Sequence, residues 1–411
     1  MLRTLFGLGF CLLTLTASAG DWPQILGPHR NGQAEHESLL DRWPAAGPKV
    51  AWKAKLGAGY AGPAVVGQRV VVFHRQADQE RIEAFDAVTG QSLWKADFPA
   101  HYGGGIDPDK GPRCVPTVAQ GRVFAFGAAG DLYAVDLASG KKLWVRNLYE
   151  DYSGDEGYFG AGSAPILIGG KLLVNVGGKN AGIVGLDPAT GKTLWTATSD
   201  AASYAAPAAA QVGDKEFAIF VTRLNALAVD PETGKVELLT PFGKRGPTVN
   251  AATPLVVGDQ IFLSASYGIG AQLVRFAGRS AKTVWANDDT LSSQYATAVE
   301  HDGFLYGCHG REDAGPADFR CVELKTGSVR WSQPGFGVAH VIGAADKLLV
   351  VKVEGEILIV PADPRKFQSH AQFEPPIRGK LRALPALSGG NLYLRSTDDR
   401  GGELLCIVVG Q

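Results

Sequence analysis

An all-β fold, an eight-bladed β-propeller of four-stranded antiparallel blades, follows from three features of the sequence. The phrase Asp-x-x-Thr-Gly-x-x-x-Trp recurs along the chain. Its tryptophans return every 42 to 51 residues. Glycine accounts for 53 of 411 residues, nearly double the usual share of roughly 7%. Four short strands with tight turns in each unit of roughly 45 residues are the signature of a propeller blade.

The phrase reads Asp86-Ala-Val-Thr89-Gly90-Gln-Ser-Leu-Trp94, then Asp136-Leu-Ala-Ser139-Gly140-Lys-Lys-Leu-Trp144 and Asp187-Pro-Ala-Thr190-Gly191-Lys-Thr-Leu-Trp195. A fourth copy, Asp230 to Gly234, carries Leu238 in place of Trp, and Trp285 closes a degenerate unit. Glu323-Leu-Lys-Thr326-Gly327 leads to Trp331. Asp and Thr bond back to the local backbone, and Gly supplies a positive φ. Before each phrase, a small residue and Pro open a short apolar strand, as at Gly62-Pro63, Ala164-Pro165 and Ala206-Pro207. The units are 62–98, 114–148, 163–200, 205–242, 252–288, 295–333, 340–373 and 383–410. The last lacks its Trp strand, whereas Lys49-Val-Ala-Trp52-Lys-Ala-Lys55 is such a strand without its unit. The two ends are therefore expected to complete one blade together, closing the ring and removing its sheet edges. Each Trp is expected to be largely buried between neighbouring blades.

Charge and composition exclude several classes of function. Forty basic against 41 acidic residues leave a net charge of -1, without the basic excess of a nucleic-acid surface or of polybasic membrane attachment. Met1 is the only methionine, so a mature chain has no Met ligand for haem or copper. Arg3, the apolar run Leu5 to Leu15 and Ala17-Ser18-Ala19 read as a secretory signal cut after Ala19. The alternative is an N-terminal anchor, for which the run falls short of the ~20 residues a span needs. The expected organisation is a leader over 1–19, an N-terminal extension over 20–48 and one propeller over 49–411, monomeric and exported to the periplasm or beyond.

Over essentially the whole mature chain this repeat resembles the PQQ-like, or quinoprotein-type, β-propeller family. Asp21-Trp22-Pro23-Gln24, Gly27-Pro28 and Arg30-Asn31-Gly32 resemble the start of its secreted bacterial members, and Phe159-Gly-Ala-Gly-Ser163 and Asn250-Ala-Ala-Thr-Pro254 are similar to it as well. The family includes quinone-dependent dehydrogenases and noncatalytic scaffolds, among them the propeller lipoprotein of the outer-membrane β-barrel assembly machinery. The resemblance thus implies either a binding scaffold or, as the alternative, an oxidoreductase holding PQQ with calcium. Such enzymes typically stack an adjacent Cys pair on the quinone and hold calcium with Glu, Asn and Asp. Here Cys114, Cys308, Cys321 and Cys406 are scattered, and Asn250 has no carboxylate at an aligned position. The scaffold reading leads, with no cofactor expected.

The residue entering each blade's first strand sits at one mouth of the channel. Counting back from the strand-opening position gives Tyr60, Arg113, Gly162, Tyr204, Ala251 beside Asn250, Tyr295, Ala339 beside His340, and Arg382. Tyr60, Arg113, Tyr204, Asn250, Tyr295, His340 and Arg382 are the candidate ligand-binding residues, against the plainer reading of an ordinary polar channel mouth. Two Arg with no carboxylate at an aligned entry position would favour an anionic ligand, and Tyr rings would cover a flat one. No catalytic residue and no metal ligand is assigned. Loop 101–113 is read as an interblade connection, or as a lip carrying Asp107, Asp109 and Lys110 over the mouth. Loop 149–160, with Glu150, Asp151, Asp155 and Glu156, reads as a solvated acidic loop, because it lacks the alternating ligand spacing of a calcium site. Cys321 and Cys406 share the repeat position of Ala134, which favours free thiols. A Cys308–Cys321 bridge is the exception to watch.

Overall fold

Each Asp-x-x-Thr-Gly phrase forms the turn that its chemistry dictates. In the computed structural model, which describes residues 20–277, 280–398 and 400–410, Asp86 Oδ1 accepts bonds from the Val88 and Thr89 amides and from Thr89 Oγ1. Asp136 and Asp187 repeat this pattern. The expected leader lies outside the described residues.

The described strands group into eight antiparallel sheets of four. Blade one runs Ala64–Val66, Arg69–Gln76, Gln79–Asp86 and Ser92–Pro99. Blades two to seven open with Thr117–Ala119, Ile166–Ile168, Ala208–Val212, Leu255–Val257, Val299–His301 and Ala339–Ala344. Blade eight comprises Ala386–Ser388, Asn391–Asp398 and Gly401–Val408, and its outer strand is Val50–Leu56 from the other end of the chain. Trp52 pairs with Cys406 in this closure. First strands of neighbouring blades touch around the centre.

The tryptophans dock one blade onto the next through a repeated contact. Trp94 Nε1 donates to the Leu137 carbonyl at 3.0 Å, Trp144 to Pro188 at 3.2 Å and Trp195 to Pro231 at 3.1 Å. Trp52, Trp285 and Trp331 do the same to Ala87, Leu324 and Asp363. In the first five contacts the indole lies on the glycine of the next blade's phrase. A Cβ on Gly140 would stand 2.5 Å from Trp94. That glycine also has φ +70, so its missing side chain serves both the turn and the docking. The expectation that these rings are largely buried holds: Trp52 is buried, and Trp94, Trp144, Trp195 and Trp331 are partly buried, packed against the cores between blades with a minor part of their surface in solvent. Trp94→Ala is accordingly expected to cost about 2–3 kcal/mol in urea unfolding, below the roughly 3–5 of a fully buried ring.

The strand residue facing the tryptophan is small in five blades, where it is Ala84, Ala134, Gly185, Cys321 and Cys406, whereas Leu273 faces Trp285 in the sixth. All four described cysteines are buried free thiols.

Glu80 is buried at the contact between blades one and two. It accepts from Tyr133 Oη at 2.9 Å and from the Ala128 amide at 3.3 Å. Burial pushes its carboxyl up to about 7, against those two bonds. The folded state therefore holds this proton more tightly than the unfolded chain between pH 4.5 and about 7. Stability contributed by the protonated form falls as pH rises through that window, by up to about 3 kcal/mol. Glu80→Gln is expected to flatten that part of the pH–stability curve, read as melting temperature from pH 5 to 8. An unchanged slope would count against a buried neutral Glu80.

The N-terminal extension crosses the channel at the end opposite the strand entries. Asp21 accepts from the Gly67 amide and Glu37 from the Gly389 and Gly390 amides, all in turns of that face. Trp22 pairs with Val65 of blade one, the Pro23 carbonyl accepts from Val118 of blade two, and Gly32 and Ala34 bond Gly343 of blade seven. Arg30, 1% exposed, sits in the middle. Its Nε donates to Gln24 Oε1, Nη1 to the Ala164 and Pro207 carbonyls, and Nη2 to Thr117 Oγ1 and the Pro165 carbonyl. One side chain thereby ties blades two, three and four.

Candidate functional site

Four of the seven candidate residues meet at the other mouth, and they meet around carboxylates. Arg382 forks onto Glu312 through Nε and Nη2, both at 3.0 Å, and reaches Asp107 Oδ2 through Nη1 at 3.1 Å. Its guanidinium stands 5.2 Å from the centre of the Tyr60 ring. Tyr60 Oη donates to Asp107 at 3.2 Å, and Tyr295 Oη donates to Glu312 at 2.9 Å. Lys380 adds a third cationic contact to Glu312 at 2.9 Å. Arg113 lies 5.6 Å from the Tyr60 ring and 5.3 Å from the Tyr102 ring. Its guanidinium is held by the Gly111 and Asp109 carbonyls.

The electrostatics follow from this packing. Burial alone would raise the Glu312 carboxyl, but Arg382, Lys380 and Tyr295 bring it down to about 2. Burial, with Asp107 adding to it, pushes the Tyr60 hydroxyl up to about 12. No carboxylate stands at an aligned entry position, as expected, yet neither Arg is left unpaired. Asp107, Asp109 and Glu312 reach the mouth from loops between strands and not from aligned entry positions. An anionic ligand would have to displace them.

Asp107 and Asp109 belong to loop 101–113, which lies over the mouth as a lip. Asp109 accepts from the Gly59 amide at 2.9 Å, and the Ile106 amide donates to the Tyr158 carbonyl at 3.0 Å. The loop thus joins blade one to the loop entering blade three, while Asp107 ties it to Arg382 beside blade eight.

The other three candidates do not join this ion-pair cluster, although His340 packs against Tyr295 with ring centres 6.0 Å apart. Tyr204 Oη accepts from the Tyr158 and Phe159 amides at 2.8 and 3.2 Å, fastening the end of loop 149–160. Asn250 is 1% exposed and donates to the Thr222 carbonyl at 2.9 Å, while its own carbonyl receives the Tyr204 and Ala205 amides. His340 is buried, its Nε2 donates to the Arg382 carbonyl at 3.0 Å, and burial lowers it to about 4. Glu312 and Lys380 were not legible in the sequence. Neither lies at an entry position, and only the folded ring brings them to Arg382.

A cavity of about 30 Å³ opens on this face between blades three and four. That is a tenth of the roughly 300 Å³ at the small end of small-molecule sites, and a fused three-ring quinone does not fit it. Among the described residues no three His, Cys, Asp or Glu converge as a metal site would require.

The closed ring, its docked tryptophans and its polar mouth define the class as a PQQ-like eight-bladed propeller. The family model described as "Outer membrane protein assembly factor BamB" matches residues 78–333, and the chain belongs to that family. The outer membrane protein assembly factor BamB of Moranella endobia is 23% identical over 338 residues, covering 75% of this chain and 80% of that protein. The 1-butanol dehydrogenase (cytochrome c) of Thauera butanivorans is 33% identical over 106 residues, 25% of this chain. The chain matches only 15% of that dehydrogenase's length, and 21% of the quinoprotein alcohol dehydrogenase PedH of Pseudomonas putida. The crystal structure of BamB from Moraxella catarrhalis superposes with a TM-score of 0.64 at 17% identity, over 88% of this chain and 99% of that one. A europium-containing methanol dehydrogenase superposes with a TM-score of 0.73 at 12% identity, over 95% and 98%. At those identities the two structures establish the fold alone.

Proposed function

We propose that this chain is a noncatalytic binding propeller of the cell envelope, which presents its mouth-side face to a protein partner. The observation that carries this reading is the mouth itself. Asp107, Arg382, Glu312 and Tyr60 are engaged with one another under loop 101–113, so the centre is occupied by the chain's own side chains. What this face offers outward is the lip, with Ile106 71% exposed at its tip. The BamB relatives lend support, as outer membrane protein assembly factors, and the Ala17-Ser18-Ala19 leader motif supports export. Among the described residues no helix is long and apolar enough to cross a membrane.

A photo-crosslinking residue placed at Ile106 in the native host tests this, with Val88 as the control. Val88 is 72% exposed on a turn of the opposite face. The expected result is one discrete crosslinked envelope protein from Ile106 and none from Val88. Equal labelling from both would remove the mouth face from consideration. In parallel, PQQ with calcium is expected to leave the melting temperature unchanged. A shift of several degrees with a change in quinone absorbance would replace the binding reading with a quinone-dependent oxidoreductase.

A further inference from the structure

The cavity between blades three and four carries a buried polar group that the fold does not use. Asn175, in the strand Lys171–Gly178, is 2% exposed and lines it. Neither Oδ1 nor Nδ2 has a hydrogen-bond partner among the described residues. A buried carboxamide left open at both ends is costly, and natural proteins rarely keep one without a use. Asp155 and Glu156 stand at the rim of the same cavity, and Tyr149 and Tyr204 line its walls.

The rim carries negative charge without a counter-charge. Asp155 accepts only the Gly157 amide, and neither carboxylate pairs with a Lys, Arg or His among the described residues. Glu156 is raised by partial burial, and then by Asp155 beside it. Two carboxylates, an open amide oxygen and two phenol rings together make an environment for a cation.

The size and the donors narrow the class of cation. About 30 Å³ admits one or two water-sized groups. That is room for an ammonium head and a water to meet Asn175 Nδ2, and too little for a planar guanidinium. An ammonium brings three N–H donors and no acceptor, matching the two carboxylates and Asn175 Oδ1, with the rings adding cation–π attraction. A calcium ion asks for six to eight oxygens, and here the two carboxylates are neighbours on one loop.

We propose that this pocket receives a primary ammonium group of the partner, a lysine side chain or an amino terminus. The proposal rests on the reading that the mouth-side face binds a protein, and it names the anchor on that face. It is tested on the purified full-length mature protein, with no partner present. Nα-acetyl-lysine amide probes the side chain, alanine amide the amino terminus, and Nα-acetyl-arginine amide the guanidinium, each titrated by NMR or calorimetry.

One of the two amines is expected to bind in the millimolar range, roughly 10-fold tighter than the arginine probe, with affinity falling as salt rises. Whichever amine is tighter identifies the source. Asn175→Leu, which leaves no unpaired polar atom, is expected to weaken amine binding roughly 10-fold, and Asn175→Asp to strengthen it. Equal binding of amine and guanidinium probes, indifference to both Asn175 variants, or tight calcium binding that excludes the amine would each overturn the proposal. The pocket can fail in this way while Ile106 still crosslinks to a partner. Amine binding can equally hold while the crosslink fails, so the two readings are separable.

Discussion

Arg30→Ala is expected to destabilise the propeller by about 4 kcal/mol or more, a cost reserved for lost buried networks. All five N–H donors of this guanidinium are used, and four of their acceptors lie in blades two, three and four. Truncation strands the Ala164 and Pro207 carbonyls in a site with almost no water access, each costing roughly 1–3 kcal/mol when unsatisfied, and leaves the Pro165 carbonyl with only its bond from Thr117 Oγ1. It also opens a cavity where the side chain lay. Burial lowers the guanidinium only to about 9, so it remains charged at neutral pH, and no carboxylate among the described residues pairs with it. A ring of carbonyl dipoles does that work. Lysine carries the same charge but cannot fork across three blades, and Arg30→Lys is expected to recover less than half of the loss. Urea unfolding followed by tryptophan fluorescence reads both variants. A midpoint equal to wild type would mean that the extension decorates the ring without bracing it.

The difference between what was legible in the sequence and what was not comes down to repetition. Asp86, Thr89, Gly90 and Trp94 act over nine residues and across one blade contact, and their counterparts do the same in several other blades. A rule that acts locally and is written several times can be read without coordinates. The mouth mixes two kinds of information. Tyr60, Arg113, Tyr295 and Arg382 follow the repeat, so counting along the units brings them together. Asp107 and Glu312 lie in loops of unrelated length, and only closure of the ring brings them to Arg382. Asn250 and His340 were placed at the mouth by register, but each turned inward to satisfy backbone groups of neighbouring blades. Arg30 lies outside every repeat, and Asn175 sits within an ordinary strand. Arg30 is legible only as part of the opening motif Arg30-Asn31-Gly32, and nothing in the linear pattern gives either residue its buried role.

Replacing residues 50–56 with a Gly/Ser stretch of equal length is expected to abolish the single cooperative melting transition. The substitution keeps the tether between the extension and blade one, and removes only the strand that closes blade eight. Trp52 and Leu56 are both 8% exposed and belong to the largely apolar cluster joining blades seven, eight and one. Losing two such side chains costs roughly 2–5 kcal/mol each, comparable with the whole stability of an ordinary domain. Trp52 also docks blade eight onto blade one through the Ala87 carbonyl at 2.9 Å and the face of Gly90. Without it, Arg395 becomes the principal polar staple across the seam, through the Ala61, Phe73 and Gly57 carbonyls. The strand Gly401–Val408 would then present an unpaired edge rich in Leu, Ile and Val, a template for pairing between molecules. Static light scattering during a thermal ramp is expected to show aggregation beginning well below the wild-type transition. A Trp52→Ala control keeps the backbone ladder and is expected to lower the midpoint without early aggregation. If the Gly/Ser variant instead stays monodisperse and melts at the wild-type temperature, the ring is held by its first strands and the extension, and the shared blade is not what closes it.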